Sequence, residues 1–342
     1  MADTKKEHYV PRCYLKNFSL ENDKIKVFDK FKMQVREQSI MDVAMENYFY
    51  DIKFDELLKK AEQEEREKIK QDLMELLETD EWEDVVAKLD EKRLEKEFFS
   101  QLEGMYSKLL KIFINKCYDG NDWVMENCLA CSEIEKSLMA FFIAIQTVRT
   151  KSFRNNISDI ISKGYQVIAY KSQMNDEDAL PIEAFECEAN PDFVKLQHSS
   201  MILDKELILE IAETYCNHIW VMYVNKSDYS FYTSDNPVVT IPHKRDEYFN
   251  YGGIKSKAVE VVLPISPKLL LAMYERTSFD KVFSDRQFYV LTSKDEIDYF
   301  NYVQVYHSYR CIFSGKNNFE LAEKTCKEKP ELQEYLSHVE VG

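Results

Sequence analysis

Residues 134 to 148 constrain this chain more than any other stretch. Ile134, Leu138, Met139, Phe141, Phe142, Ile143, Ala144, Ile145 and Val148 leave almost no polar face on a helix. A helix that is apolar nearly all round has to be enclosed by other elements. Ser132 and Glu135, just ahead of it, form a capping-box pattern that fixes its start. The rest of the fold must therefore wrap this segment. Gln146 and Arg149 interrupt it, one turn apart, with Phe142 and Phe153 on the same face. A guanidinium keeps its proton, so a buried one needs a partner. Either an internal carboxylate or the anionic part of a ligand would serve, and Arg154 can join it. The longest apolar run, Leu138 to Ile145, is far below the roughly 18 residues of a membrane span.

The flanking segments read as strands. Lys24 to Asp29 and Met33 to Glu37 alternate with period two and predict an N-terminal hairpin. His218 to Val224 and Ser230 to Ile241 flank the turn-forming Asn225-Lys226-Ser227-Asp228 and predict a second hairpin. Val259 to Leu263 and Leu269 to Tyr274 predict a third, and Tyr309 to Phe313 a last strand. Leu94, Phe98, Leu102, Met105, Leu109 and Ile112 predict an amphipathic helix. Further helices are expected from about Lys205 to Tyr215 and from the Ser293/Glu296 capping box to about Tyr306. Strands, then helices, then strands, without regular alternation, give an α+β fold. The expected arrangement is N-terminal strands and a C-terminal antiparallel sheet packed around the central buried helix, in a single domain spanning 1–342. The Glu- and Lys-rich stretch at about 55–95 has too few apolar residues to anchor both sides, so a protruding helical insertion is expected there.

The chain has 61 acidic and 45 basic residues among 342, a formal net charge of -16. That balance argues against broad contact with nucleic-acid phosphates, while leaving room for a local basic pocket. Eight cysteines behind a polar, charged start predict reduced thiols and a cytoplasmic location. Cys128-Leu129-Ala130-Cys131 is a lone CxxC with no second pair, so no metal site is expected. No Gly-rich phosphate loop, nucleophile elbow or HExxH occurs, and nothing specifies a cofactor.

Two short stretches concentrate the remaining chemistry. In His8-Tyr9-Val10-Pro11-Arg12-Cys13-Tyr14, the spacing of His8, Arg12 and Tyr14 is strand-like, which would place all three on one side. A histidine titrating near neutrality beside a guanidinium suits a general base or a phosphate clamp. In Tyr232-Thr233-Ser234-Asp235-Asn236-Pro237-Val238, Ser234, Asp235 and Asn236 close an apolar strand. Asp235 is the best candidate carboxylate for Arg12, Arg149 or His8; an Asx-type turn capping the strand is the other reading.

With residues 8–18, the Gln146/Arg149 pair, the Ser-Asp-Asn-Pro segment, Leu263 to Pro267, Asn301 and Arg310 to Ser314, the chain resembles the bacterial family catalogued as domain of unknown function 4238. The resemblance implies a prokaryotic intracellular protein without a settled activity, from mobile or defence loci. It also implies one constellation of His8, Arg12, Gln146, Arg149, Ser234, Asp235 and Asn236. Two expectations follow. One is a hydrolase or nuclease-like effector acting on a phosphate-bearing substrate, with His8, Asp235 and Asn236 catalytic and Arg12, Tyr14, Gln146, Arg149 and Ser234 binding the ligand. The other is a non-catalytic module for an anionic small molecule, a nucleic-acid end or a protein partner. Convergence in an open pocket would favour the enzyme; burial and mutual satisfaction would favour a structural network.

Overall fold

The computed structural model describes residues 6–47, 49–50, 63, 67, 70–71, 74–75, 79–88, 99–119, 128–173, 180–244 and 252–335. Most of the predicted insertion at 55–95 lies outside them. The central helix is α2 (Glu133–Arg149), preceded by α1 (Ser100–Asp119) and followed by α3 (Lys151–Ser172), α4 (Pro191–Leu203), α5 (Lys205–Asn217), α6 (Lys294–His307) and α7 (Glu320–Glu328). The capping box that starts α2 is formed: Glu135 N–H donates to Ser132 Oγ at 3.2 Å, and Ser132 N–H to the Glu135 carboxylate at 2.7 Å. The box at Ser293 and Glu296 starts α6 in the same way. Thr150 ends α2 and also caps α3, accepting the Phe153 N–H, so the two helices meet at one residue.

The strands form three sheets among the described residues. Strand β1 (Lys6–His8) pairs with β4 (Met45–Asn47). A four-stranded sheet runs in the order β3 (Gln34–Ser39), β2 (Lys24–Asp29), β11 (Cys311–Ser314) and β6 (Thr233–Ser234). A five-stranded sheet runs β10 (Gln287–Leu291), β5 (Ile219–Asn225), β9 (Leu269–Tyr274), β8 (Val259–Ser266) and β7 (Val239–Pro242). It is antiparallel except at its edge, where β10 runs parallel to β5. Both its faces are covered, which is why β8 and β9 read as continuous apolar runs. Trp220, Met222, Leu263 and Leu271 share one core with α2, while Val221, Val262, Leu270 and Ala272 share another with Ile297, Phe300 and Val303 of α6. The fold is thus α+β, with the central helix packed chiefly against α5, and against α1, α3 and α4, in a core it shares with the N-terminal motif and one face of this sheet. No helix of the described residues is long and apolar enough to cross a membrane.

Three local expectations are corrected. Ser230 to Ile241 is not one strand paired with β5. Its first part joins the four-stranded sheet and its last part the five-stranded one, because the Ser-Asp-Asn-Pro turn carries the chain from one sheet to the other. Arg12 and Tyr14 lie in a helical turn, Arg12–Leu15, entered directly from Pro11, not in a strand. Proline is tolerated at a helix entrance because the missing N–H would have no helical partner there. The stripe expected on α1 is rotated: Met105 and Ile112 are exposed, and Tyr106, Leu109, Leu110 and Phe113 are buried. Helices α4 and α7 were not anticipated.

Ile143 has no exposed surface and sits in the α2 core. Ile143→Ala is expected to cost about 2–5 kcal/mol, read from urea denaturation. A loss below about 1 kcal/mol would contradict the enclosed position of α2.

Candidate functional site

The first half of the motif system is assembled at the C-terminal end of α2. Arg149 is 2 % exposed. Its Nε and Nη2 donate to the His8 carbonyl at 3.0 and 2.6 Å, and Nη2 also lies 3.1 Å from Glu103 Oε1. Nε reaches the Tyr50 hydroxyl at 3.2 Å, and the guanidinium stacks 3.8 Å above the Phe99 ring centre. Its position in the last turn of α2 also suits a cation, because the helix dipole is negative there. Gln146 Nε2 donates to the Tyr9 carbonyl at 3.2 Å. Gln146 and Arg149 thus hold two successive carbonyls of the N-terminal motif. On the other edge of that motif, Tyr9 and Val10 donate their N–H groups to the Ala44 carbonyl.

Arg154 continues the cluster from α3. It stacks 3.5 Å from the Phe49 ring centre and donates Nε to His198 Nδ1 at 3.0 Å. That bond makes Nδ1 the acceptor, so Nε2 of His198 donates to the Val148 carbonyl at 2.7 Å. Burial, then the charge of Arg154, pushes the His198 pKa down to about 3. His8 is also buried, its Nε2 has no hydrogen-bond partner among the described residues, and burial with Arg12 and Arg149 nearby lowers its pKa to about 4. Both imidazoles are therefore neutral at physiological pH. Arg12 is exposed and, among the described residues, reaches only the Met41 sulfur, at 2.9 Å.

The second half is the Ser-Asp-Asn turn. Asp235 is 1 % exposed, and its carboxylate accepts three successive backbone N–H groups. Tyr309 donates to Oδ1 at 2.9 Å, and Arg310 and Cys311 donate to Oδ2 at 2.9 and 2.7 Å. Burial raises its pKa to about 6 against the pull of these donors and of Lys30. Ser234 Oγ donates to Gln304 Oε1 at 2.8 Å, and Asn236 Nδ2 to the His307 carbonyl at 3.0 Å. Tyr14 links the halves: its hydroxyl bonds Thr233 Oγ1 at 2.7 Å and the Pro264 carbonyl. The N-terminal motif thus packs against the C-terminal strands beside α2. No hydrogen bond or ion pair joins His8 to Asp235 among the described residues.

The segment pinned by Asp235 and Asn236 forms one wall of a cavity of about 20 Å³. Lys30, Glu334, Ser152, Tyr306, Tyr309 and Tyr335 contribute to its lining. Lys30 is 2 % exposed and donates to the Val305 and Ser308 carbonyls at 3.1 and 2.8 Å, leaving one of its three protons. Around this cavity, rings and cations alternate. Tyr309 contacts Phe31 and Tyr335, and Tyr306 stacks on Tyr302. Arg310, Lys151 and Lys329 lie over Phe31, Tyr309 and Tyr306 at 5.3, 5.1 and 4.8 Å. Behind them, fully buried Asp29 takes a bidentate pair of bonds from Arg310 and a third from Arg36.

Sequence reasoning missed Lys30 and the tyrosines, which resemble ordinary surface residues until the fold gathers them. It also passed over Glu260. This buried carboxylate accepts Tyr274 and Tyr299 hydroxyls and bonds His243 Nε2 at 2.7 Å. A lone Glu within Val259-Glu260-Val261-Val262 was the available signal. No group of three or more His, Cys, Asp or Glu side chains able to hold a metal occurs among the described residues.

The family model of the protein of unknown function described as DUF4238 matches residues 6–318, ending just before α7. The chain belongs to that family. No curated protein and no solved structure matches the chain significantly.

Removing the Arg149 side chain would strand the buried His8 carbonyl and take the cation from the partly exposed Glu103. Arg149→Ala is expected to destabilise the fold by about 3–5 kcal/mol, measured by denaturant unfolding; a change below about 1 kcal/mol would show that these bonds contribute little. The histidines give a pH signature. With folded pKa values near 4 and 3 against 6.5 for the free group, the unfolded chain binds protons first as pH falls. Their stabilisation is present above 6.5 and is lost as the pH falls towards 4, whereas Asp235, titrating near 6, opposes this over part of the range. The melting temperature should therefore fall on acidification below about 6.5, and less steeply in His198→Gln. Equal slopes in both proteins would contradict a buried neutral His198.

Proposed function

We propose that this protein is a non-catalytic binding module whose motifs brace a recognition face. The observation that carries this reading is the state of Asp235. Both its oxygens are engaged by the N–H groups of residues 309–311, so the carboxylate holds the wall of the tyrosine-lined cavity and has no free face towards a substrate. Arg149, Ser234 and Tyr14 are engaged inside in the same manner.

The partner is a protein that presents an acidic segment. A cavity of about 20 Å³ holds a water-sized group, not a small-molecule ligand of several hundred Å³. One carboxylate oxygen fits it, beside the remaining Lys30 proton. The surrounding tyrosines with Arg310, Lys151 and Lys329 have the composition of protein-recognition hot spots. Arg310 is committed to Asp29 and Lys151 to Glu46, so Lys329 and the remaining Lys30 proton are the cations that favour a carboxylate, although the chain as a whole is strongly acidic. Eight free cysteines suit a cytoplasmic setting.

A synthetic hexaglutamate peptide tests the reading, with hexalysine as the control. Hexaglutamate is expected to bind saturably, Tyr309→Ala and Lys329→Glu are expected to weaken it, and hexalysine is expected not to bind. Equal binding by wild type and both variants would overturn the assignment of this face. A nucleotide or nucleic-acid hydrolysis by the wild type that Asp235→Asn abolishes in a still-folded protein would restore the hydrolase.

A further inference from the structure

A second cleft, of about 430 Å³, lies where the end of α5, the 252–258 loop and the turn after β9 meet. Its size is that of a small-molecule site, and its lining residues are all of polar or charged type, with Lys255, Glu275, Arg276 and His218 as the ionisable members. The charges there are not equivalent. Glu275 is saturated: its carboxylate accepts the N–H groups of Ala258, Thr277 and Ser278 and the hydroxyls of Thr277 and Ser278. It has little left to offer a cation.

The cations are held differently. Arg276 is anchored through Nε to the Asn217 carbonyl at 2.9 Å and through Nη2 to Asp285 at 3.2 Å. Its Nη1 has no partner among the described residues, and the side chain is 50 % exposed. Asp285 is fully engaged by Arg276, Lys136 and the Trp220 N–H. Among the described residues Lys255 pairs only with Glu210, and both side chains are 61 % exposed. Such a surface pair is worth little and exchanges readily. His218, also in the lining, is 4 % exposed, with Nε2 unpartnered among the described residues. The cleft therefore offers positioned donors and no free acceptor charge.

We propose that this cleft binds a small molecule through an oxyanion, a phosphate monoester or a carboxylate, held by Arg276 and Lys255. The site is separate from the tyrosine-lined face and goes beyond the partner-binding reading. The test uses inorganic phosphate and acetate, each titrated at constant ionic strength into the full-length protein and followed by nuclear magnetic resonance. The expected result is saturable shifts of residues 214–218 and 275–277 with at least one anion, weakened about tenfold in Arg276→Gln and also weakened in Lys255→Gln. Lys255→Gln alters only an exposed residue, so it keeps the test valid if Arg276→Gln loses stability. Phosphate alone would identify a phosphate ester, acetate alone a carboxylate, and both a general oxyanion site. Shifts by neither anion, or equal shifts in wild type and Lys255→Gln, would overturn the proposal.

Discussion

The architecture depends on one buried carboxylate. Asp235 sits where the chain leaves the four-stranded sheet for the five-stranded one, and it gathers the N–H groups of residues 309, 310 and 311 as the chain leaves α6 for β11. A bare carboxylate in such a place would cost several kcal/mol. Three charge-assisted hydrogen bonds offset that cost and fix the geometry of the crossing. Ser234 and Asn236 add bonds to α6 and its C-terminal end, so one turn joins two sheets and a helix.

Arg149 plays the matching part where α2 meets the N-terminal motif. It couples the last turn of α2 to the backbone of His8, and Tyr14 carries the connection on to Thr233 and Pro264. Motifs far apart in sequence thereby become one continuous network. Its polar atoms point at backbone groups, which need partners wherever they are buried. A motif rich in His, Asp and Arg can arise from this requirement as readily as from chemistry, and that is why residue type alone left the two readings open.

Much of the fold was legible for local reasons. The α2 and α6 capping boxes, the β2–β3 hairpin and the β8–β9 pair follow from patterns within a few residues of each other. The crossing at Ser-Asp-Asn-Pro was not legible as a crossing, because strand patterning shows where a strand can form but not which sheet receives it. The turn at Arg12–Leu15 escaped because period-two spacing over so few residues also fits a helical entrance after proline. That a buried Arg149 needs partners was visible; that one of them is the His8 carbonyl was not, because a carbonyl carries no sequence signal. Lys30 and the tyrosines gather only in three dimensions.

The most direct test of a bracing role is amide hydrogen exchange at Tyr309, Arg310 and Cys311 in the wild type and in Asp235→Asn. A bracing carboxylate predicts strong protection of these three amides in the wild type, with selective loss in the variant alongside a lower unfolding free energy. Unchanged protection and stability in a variant that has lost its function would contradict it, and would return Asp235 to a role in chemistry.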